Sequence, residues 1–504
     1  MKNVIRIAIE TTDINLDCDA PAINVGKGPA KPYHVGYHLY DALCAPIIKK
    51  DSNGKSFADF NDIEWRLAES IKSNKDYTKW KMKLKENVIS HFDNELTADD
   101  IKWTYSRIKK MRAIGMWRAF NIGGMNHCKN IKITGKYTLE FVLNRPNEFF
   151  PRYLCFATGA IIDSKEASKY TTSQDPFALS FLSKNACGFG PWKIIKWNKN
   201  ILELRPRING ITKIPIDSII YKSAVSRKKA LKMFENKEVD ILAGLYPDEA
   251  LKMQKIKNMT MLKSKTNHSF LELNKNIKPF NDQALRQLVQ VNIDRKKIVK
   301  NCYFGFAEEQ KSIFQPNSPE YNEDSFNKLN KSITHKIIKN TDKKESVILA
   351  VSSSKESLRI GQEIKSFFLN FGLQTTIKQI SDLSENEVVN AYVRADCSHG
   401  ICDKRYDIAL DFAPPMGMPG RIFTVTRKSA DFKKLMSTKF DKQKKLLEKL
   451  NYDILSEAET IPLAGHNYLI LYKQNINKWI FTQDYLPMAS LMWSAARYVL
   501  APIR

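Results

Sequence analysis

The sequence predicts an α/β protein, because two patterns of apolar residues alternate along the chain. Stretches in which every second residue is apolar, such as Val4–Glu10 and Ile201–Arg205, are typical of strands. Apolar residues three or four positions apart, such as Ile101, Tyr105 and Ile108, are typical of helices. Alternating strands and helices favour largely parallel sheets that are covered by helices.

The composition is that of a globular protein with several units. The chain has 504 residues, of which 43% are hydrophobic and 27% are charged. At roughly 150 residues per domain, this length predicts about three units or two large lobes. The composition excludes a disordered chain, a collagen and a small disulfide scaffold. No stretch approaches the roughly 18 uncharged apolar residues that a membrane-spanning helix needs.

The first part of the chain, up to Arg205, begins with a strand and contains two predicted helices. The predicted strands are Val4–Glu10, Trp80–Leu84, Thr138–Leu143, Lys193–Trp197 and Ile201–Arg205. One helix carries Tyr37 and Tyr40, and a second starts after Thr97, whose hydroxyl suits an N-cap. Gly188 and Gly190 precede a strand, and a third glycine is missing, so we expect no phosphate-binding loop here.

The rest of the chain, from Ala224 onward, alternates between the same two patterns. Predicted helices are Ala224–Glu235, Asn281–Asn292, Leu358–Phe371 and Phe432–Ala458. Predicted strands are Val239–Ala243, Phe270–Asn274, Val347–Val351, Thr375–Lys378, Tyr406–Leu410 and Ile461–Tyr472. Gly372 is a typical helix stop.

The charge is strongly positive but is spread evenly. The chain carries 80 Lys and Arg against 54 Asp and Glu, a net charge of +26. The lysines are interleaved with acids, and no zinc-finger spacing or recognition helix is present, so we expect no nucleic-acid binding. Weak attraction to an anionic membrane surface is an alternative use of this charge.

Cysteines and histidines offer two candidate metal or disulfide sites. Six of the eight cysteines lie in apolar surroundings, which predicts buried thiols. Cys397 and Cys402 flank His399 and are interpreted as a disulfide, with a metal site or free thiols as alternatives. His34 and His38 are four residues apart and would share a helix face, a spacing that can bind a metal.

Five segments, in order, resemble motifs of one family. They are Trp80–Val88 with Thr97–Asp100, Gly188–Trp192, Glu238–Ile241, Phe280–Arg295 and Ile461–Leu463. They are similar to motifs of the extracellular solute-binding proteins of family 5, which serve peptide and nickel ABC transporters. The similar motifs are a strand–turn–helix signature, a Gly-Thr-Gly-Pro-Tyr turn, Gly-Glu-Val-Asp-Ile, a Pro-Phe-Asp-Asp to Ile-Asp-Arg helix, and Ile-Pro-Leu.

The resemblance implies a bilobal, periplasmic-binding-protein-like fold of type II, of the large class with an extra domain and mixed, mainly parallel sheets. Carried over by position, lobe I is 1–38, 160–265 and 478–504, the extra domain packed on it is 39–159, and lobe II is 266–477. Hinges are expected near 265 and 478.

The implied function is the substrate-binding component of an ABC importer, which delivers a small peptide or peptide-like solute to a permease and its ATPases. A nickel or metallophore–metal binder is the alternative within the family. A cytosolic ligand-sensing domain and a surface adhesin or chaperone are alternatives from other classes. No Gly-x-Ser-x-Gly motif or defensible catalytic triad is present, so we expect no enzyme.

The resemblance also implies a location and partners. It implies a monomer without a cofactor at the periplasmic or extracellular face, in contact with the membrane only through the permease or a lipid anchor. The run Val4–Ile9 is too short for a secretory signal, so the sequence fits either a cytosolic protein or a mature exported form.

The resemblance places ten ligand contacts in four segments of the chain. They are Tyr33, His34, Tyr37, Leu245, Tyr246, Asn267, His268, Phe412, Pro415 and Arg421. Pro415 stands where peptide-binding relatives have an Asp, and Ala413–Pro415 loosely resembles nickel-type relatives. Arg421 suits a ligand carboxylate. The alternatives are core packing for the aromatic residues and a solvated surface position for Arg421.

Overall fold

The computed structural model describes residues 3–9, 11–17, 19, 33–50, 56–111, 120, 123–125, 128–148, 150–155, 159–208, 216–243, 245–313, 323–333, 345–352, 354–384, 388–394 and 440–474. Its strands are β1 Val4–Ile9, β2 Cys44–Lys50, β3 Ser56–Trp65, β4 Ala68–Ser73, β5 Lys79–Leu84, β6 Ile131–Gly135, β7 Thr138–Val142, β8 Trp192–Trp197, β9 Ile201–Pro206, β10 Ser218–Ser223, β11 Ile241–Ala243, β12 Met259–Leu273, β13 Ala307–Glu309, β14 Ser346–Val351, β15 Gln374–Gln379, β16 Ala391–Arg394 and β17 Thr460–Lys473. Its helices are α1 Tyr33–Leu39, α2 Ala98–Met111, α3 Ser164–Ala167, α4 Leu179–Leu182, α5 Arg227–Glu235, α6 Pro247–Met253, α7 Gln283–Asn292, α8 Arg295–Tyr303, α9 Asp324–Ser332, α10 Lys355–Asn370 and α11 Phe440–Glu457.

One large mixed sheet connects most of these elements. Its strand order is β15-β14-β16-β12-β17-β11-β1-β10-β9-β8, and β13 pairs with β17. A four-stranded sheet, β4-β5-β7-β6, and the pair β2-β3 lie outside it. The α/β class and the mixed sheets are as predicted.

Parallel strands are fewer than predicted. Among the described strands, β1 pairs in parallel with β10 and β11, and β14 pairs in parallel with β15 and β16. The other described pairs are antiparallel, so the sheets are not mainly parallel. Short connections are one reason, because Asn198–Asn200 between β8 and β9 is far shorter than the dozen or so residues that a parallel crossover needs.

Helix α2 begins after Thr97, as the sequence predicts. The hydrogen-bond acceptor at its start is the carboxylate of Asp100, however, and not the hydroxyl of Thr97. The carboxylate of Asp100 accepts hydrogen bonds from the backbone N–H of Thr97 at 2.8 Å and from its hydroxyl at 3.2 Å. This is the reciprocal half of a capping box, in which the third helical residue reaches back to the N-cap. The other oxygen of Asp100 accepts from Ser164 at the start of α3, so this residue also joins the two helices.

Three apolar clusters form the core. The first joins β1 and β10 to the segment that follows α1, and it includes Phe141 and Phe150. The second contains Leu271 of β12 and Phe368 of α10. The third lies under α5 and α6 and brings Phe306 against the end of β17. The end of β17 also contributes Ile470 and Tyr472 to the first cluster.

Strand β12 is three times as long as predicted. The predicted strand Phe270–Asn274 covers only its end, because the middle of β12, from Lys263 to Ser269, is polar and hides the apolar alternation. The prediction for Ile461–Tyr472 is confirmed by β17. The predicted strand Tyr406–Leu410 lies outside the described residues.

Candidate functional site

Tyr33–Tyr37, the first of the segments predicted to line the ligand cleft, lies in helix α1. The side chains of Tyr33, His34 and Tyr37 are outside the described part of the structure, but the opposite face of the helix is clear. Val35, His38 and Leu39 are buried. Nε2 of His38 lies 2.9 Å from the hydroxyl of Tyr221 on β10. The helix is therefore held to strand β10, while the metal pair of His34 and His38 stays a prediction.

The turn Gly188–Trp192 fixes the end of α1. The N–H of Gly190 donates to the carbonyl of Leu39 at 3.1 Å. A Cβ on Gly190 would lie 2.3 Å from the carbonyl carbon of Leu39, and one on Gly188 would lie 2.3 Å from the ring of Tyr40. Only glycine at these two positions lets the backbone of the turn come this close to Leu39 and Tyr40. The turn is therefore packed directly against the end of α1.

His91 clamps the same turn from the other side. Its Nδ1 lies 2.6 Å from the carbonyl oxygen of Gly188, and its Nε2 lies 2.7 Å from that of Trp192. Burial lowers the pKa of His91 to about 4, with nearby Arg207 acting in the same direction and the two carbonyls opposing it. The imidazole is thus neutral at pH 7, and one nitrogen donates at a time.

The second predicted segment follows β11. Leu245 is buried, and its N–H donates to the carbonyl of Leu469 on β17 at 3.1 Å. Tyr246 precedes α6 and is partly exposed, with the guanidinium of Arg227 and the Nζ of Lys355 each 5.5 Å from its ring centre. Burial, with repulsion from Glu356, raises the pKa of Tyr246. Its phenol is thus a neutral hydrogen-bonding group beside two cations.

Lys355 and Arg359 of α10 both form ion pairs with Asp248 of α6. The carboxylate of Asp248 lies 3.4 Å from Lys355 and 3.4 Å from Arg359. Burial raises the pKa of Asp248, but the attraction of Arg359 and Lys355 outweighs it and the net pKa is lowered. The guanidinium of Arg359 also lies 5.0 Å from the ring centre of Phe304. The two ion pairs of Asp248 join segments that the resemblance assigns to different lobes.

Asn267 and His268 lie in the middle of β12. They pair with His466 and Gly465 of β17, between two irregularities of the ladder, one at Lys265/Asn267 and one at Ser269/Phe270. The side chain of Asn267 is outside the described part. The ring of His268 is buried, with its Nδ1 2.9 Å from Oε1 of Gln310.

The remaining predicted site residues cannot be placed. Phe412, Pro415 and Arg421, and the pair Cys397 and Cys402, lie outside the described residues. Their roles stay predictions.

Sequence reasoning missed Asp248, Lys355 and Arg359. A signal was present, because cations in the first turns of a helix are unfavourable next to the positive end of its dipole and call for an acidic partner. The identity of that partner, 107 residues away for Lys355, could not be read from the sequence.

A groove of about 470 Å³ lies outside this set. It is lined by Lys296, Val299, Lys300, Phe304, Gly305, Glu308 and Glu309. Within the described ranges, no three potential ligands among His, Cys, Asp and Glu come together to hold a metal ion. No helix in that same part of the chain is both long and apolar enough to cross a bilayer.

Comparison with known proteins identifies similar chains. Residues 62–407 match the family model of bacterial extracellular solute-binding proteins, family 5, middle region. The dipeptide-binding protein of Escherichia coli (strain K12) is 22% identical over 271 residues, which cover 52% of this chain and 50% of that protein. The chain spans about half the length of the curated relatives it matches.

Solved structures share the fold along the whole chain. The periplasmic binding protein DppA from Helicobacter pylori, in complex with the peptide STSA, has a TM-score of 0.70 at 17% identity, covering 99% of this chain and 98% of that one. NikZ from Campylobacter jejuni, in complex with Ni(L-His), has a TM-score of 0.68 at 16% identity, covering 99% and 100%.

Proposed function

We propose that this chain, which belongs to the bacterial extracellular solute-binding proteins of family 5, captures a small peptide or peptide-like solute for an ABC importer. The family consists of solute-binding transport proteins rather than enzymes. The observation that carries the proposal is the pair of long strands, β12 and β17, in the middle of the large sheet. This pair of strands links the parallel strands β11, β1 and β10 to the parallel strands β15, β14 and β16.

The paired strands β12 and β17 have the features expected of a hinge. Met261 and Leu262 pair with Leu471 and Ile470 beside β11, at one end of the strands. Leu271 pairs with Ile461 beside β16, at the other end. Both irregularities of the ladder lie between these ends. A bulge interrupts ladder hydrogen bonds and lets a strand bend, so bending here would swing one group against the other.

This arrangement supports two lobes that meet at the middle of β12 and β17. The predicted boundaries are lobe I at 1–38, 160–265 and 478–504, the extra domain at 39–159, and lobe II at 266–477. We keep all of them except the end of lobe II, which we move from 477 to Gly465–Asn467 in β17, opposite the outward crossing near 265, because the rest of β17 pairs with β11. The predicted hinge near 478 lies outside the described residues.

Capture requires no covalent chemistry. A solute that contacts both lobes stabilises the closed form by the difference between its affinities for the closed and open forms. In this proposal α1, Tyr246 and the start of α10 face the solute, and Phe412, Pro415 and Arg421 of lobe II complete the site. Polar groups of an enclosed solute must be hydrogen-bonded, which the phenol of Tyr246 and the guanidinium of Arg421 suit.

A role in ABC import also implies where the protein acts and with which partners. The protein acts as a monomer at the periplasmic or external face and passes its solute to a membrane permease driven by ATPases. It uses no cofactor. Its membrane contact is through the permease or a lipid anchor.

Calorimetric titration tests the proposal. Purified protein is titrated with peptides of two to five residues and, separately, with Ni²⁺ plus L-histidine. We expect saturable 1:1 binding of at least one peptide class. Binding of the nickel–histidine complex without any peptide binding would favour the nickel alternative, and binding of neither would favour the adhesin or chaperone class.

A further inference from the structure

Two cysteines that are far apart in the sequence meet in the core. Cys44 is the first residue of β2, and Cys155 follows the short helical turn Phe150–Leu154. Their Sγ atoms are 3.3 Å apart, and both residues are 0% exposed. Both thiols are buried, as the sequence predicts, but the sequence did not predict that they lie side by side.

Both thiols are held against the same carbonyl group. Sγ of Cys44 donates to the carbonyl of Pro151 at 3.2 Å, and Sγ of Cys155 lies 3.6 Å from that oxygen. Cys44 is also fixed by pairing with Trp65 in the β2–β3 ladder. To form a disulfide bond, the two sulfurs have to approach from 3.3 Å to roughly 2.05 Å.

Two other buried cysteines provide a contrast. Sγ of Cys187 donates to the carbonyl of Asp163 at 3.5 Å, and Cys302 lies in the apolar cluster of β12 and α10. Burial raises the pKa of both thiols, to about 12 for Cys302. In the described part of the chain no second sulfur is recorded beside either of them, so they are expected to stay reduced.

We infer that Cys44 and Cys155 form a disulfide bond in the mature protein. The inference rests on the proposed function, because disulfides form and persist in oxidising compartments outside the cytosol. Since both sulfurs are fully buried in the folded protein, the bond forms during folding, before the core closes around them.

The chemistry is a two-step exchange with a disulfide oxidant, such as the disulfide form of a thiol–disulfide oxidoreductase or oxidised glutathione. One cysteine thiolate attacks a sulfur of the oxidant, and the oxidant's other sulfur leaves as a thiolate. The second cysteine thiolate attacks the mixed disulfide and releases the remaining thiolate. The cysteine pair loses two electrons to the oxidant, and the two thiol protons end on the two released thiols.

The bond would close most of the predicted extra domain into one covalent loop. The two cysteines are 111 residues apart, and the loop between them contains α2 and the sheet β4-β5-β7-β6. Cross-linking such distant positions reduces the freedom of the unfolded chain more than a short loop does. The disulfide would therefore hold the extra domain together.

The test is peptide mapping of the full-length protein recovered from its own cells. Cells are lysed directly into denaturant that contains N-ethylmaleimide, because the thiols of Cys44, Cys155, Cys187 and Cys302 are buried in the folded protein and are alkylated only once it unfolds. The digest is then analysed by mass spectrometry without reductant. We expect one linked peptide pair containing Cys44 and Cys155, with Cys187 and Cys302 alkylated. Alkylation of Cys44 and Cys155 would overturn the inference, as would linkage of either one to another cysteine.

Thermal unfolding gives a second readout. Reductant should lower the melting temperature of the natural sequence and of the control Cys302→Ala by about 5 °C or more. It should have no such effect on the double variant Cys44→Ala/Cys155→Ala. An equal effect of reductant on the double variant would contradict the inference. The peptide map is made on the natural sequence, so it decides the question even if the double variant fails to fold.

A refolding experiment separates this inference from the proposed function. Denatured, reduced protein is refolded with oxidised glutathione and mapped again. If Cys44 and Cys155 link here but are alkylated in cells, the native disulfide is overturned and export is also contradicted. If they stay reduced in both experiments while the protein binds peptide, the disulfide alone is overturned.

Discussion

Asp248 lies 3.4 Å from Arg359, and this ion pair joins the first turn of α6 to the start of α10. Lys355, one helical turn before Arg359, reaches the same carboxylate oxygen at 3.4 Å. In the proposed division of the chain, α6 lies in lobe I and α10 in lobe II. Under that proposal, the ion pair would stabilise the arrangement in which the two lobes are in contact.

Removal of the acid should weaken closure without unfolding the protein. The three side chains are partly exposed, between 23% and 54%, and such pairs contribute about 0.2–1 kcal/mol each. We expect Asp248→Asn to weaken peptide binding roughly two- to fivefold, measured by calorimetry at low salt. The difference should shrink in high salt.

The matched control is Asp453→Asn, which removes an exposed pair with Lys449 within α11. It should leave affinity unchanged. Tighter binding by Asp248→Asn would mean that the ion pair holds the open form instead.

The stability of the protein should depend on pH through His91. The folded pKa is about 4, and an imidazole in the unfolded chain titrates near 6.5, so between these values the unfolded chain binds a proton that the folded protein does not. The contribution of His91 to the free energy of unfolding is complete above about pH 6.5 and declines as the pH falls to about 4. The total loss is up to about 3 kcal/mol.

Urea denaturation of the natural sequence and of His91→Gln, at several pH values from 4 to 8, measures this effect. The difference in stability between the two proteins should shrink as the pH falls through that window. A constant difference at all pH values would show that His91 does not titrate there.

Gly190 should tolerate no side chain. An added Cβ would lie 2.3 Å from the carbonyl carbon of Leu39, which is backbone and cannot rotate away. We expect Gly190→Ala to lower the free energy of unfolding by about 3 kcal/mol or more. Gly305→Ala, where nothing lies within 4 Å but φ is +81°, should cost only about 1–2 kcal/mol of backbone strain. Equal losses, measured by urea denaturation, would contradict this close approach.

The buried ion pair of Asp17 and Arg107 should be essential to the fold. Both side chains are at most 2% exposed, and Arg107 also donates to the carbonyl of Phe177. Asp17→Asn leaves a buried cation without its counter-charge, and we expect a loss of about 3–5 kcal/mol. Glu69→Gln, which breaks an exposed pair with Lys83, should cost less than about 1 kcal/mol. Thermal unfolding compares the two variants, and similar losses would refute the expected role of burial.

Local patterns predicted those elements whose apolar spacing runs through their full length. The hairpin of β8 and β9 was found because its strands largely alternate apolar and polar residues, and β17 was found because it is rich in apolar residues. Most of β12 was not found, since its polar middle carries the irregular pairing instead of an apolar face. The helix α10 was predicted from its apolar stripe, but its start was placed three residues late, after the Ser354 cap.

The site was harder to predict than the fold. The approach of Asp248 to Arg359, and of Cys44 to Cys155, depends on how segments about a hundred residues apart come together. Periodicity describes one element at a time and carries no information on such pairs. Leu245 and Tyr246 were named by resemblance, and the contacts of Tyr246 with Arg227 and Lys355 required coordinates.

Native mass spectrometry of the protein purified from its own cells, without added ligand, tests the central claim most directly. Enclosure of a peptide between the lobes predicts a complex that exceeds the chain mass by a few hundred daltons and releases a species that fragments into amino acids. A bound species that contains nickel, or bare protein that also fails to bind any added peptide, would contradict the account.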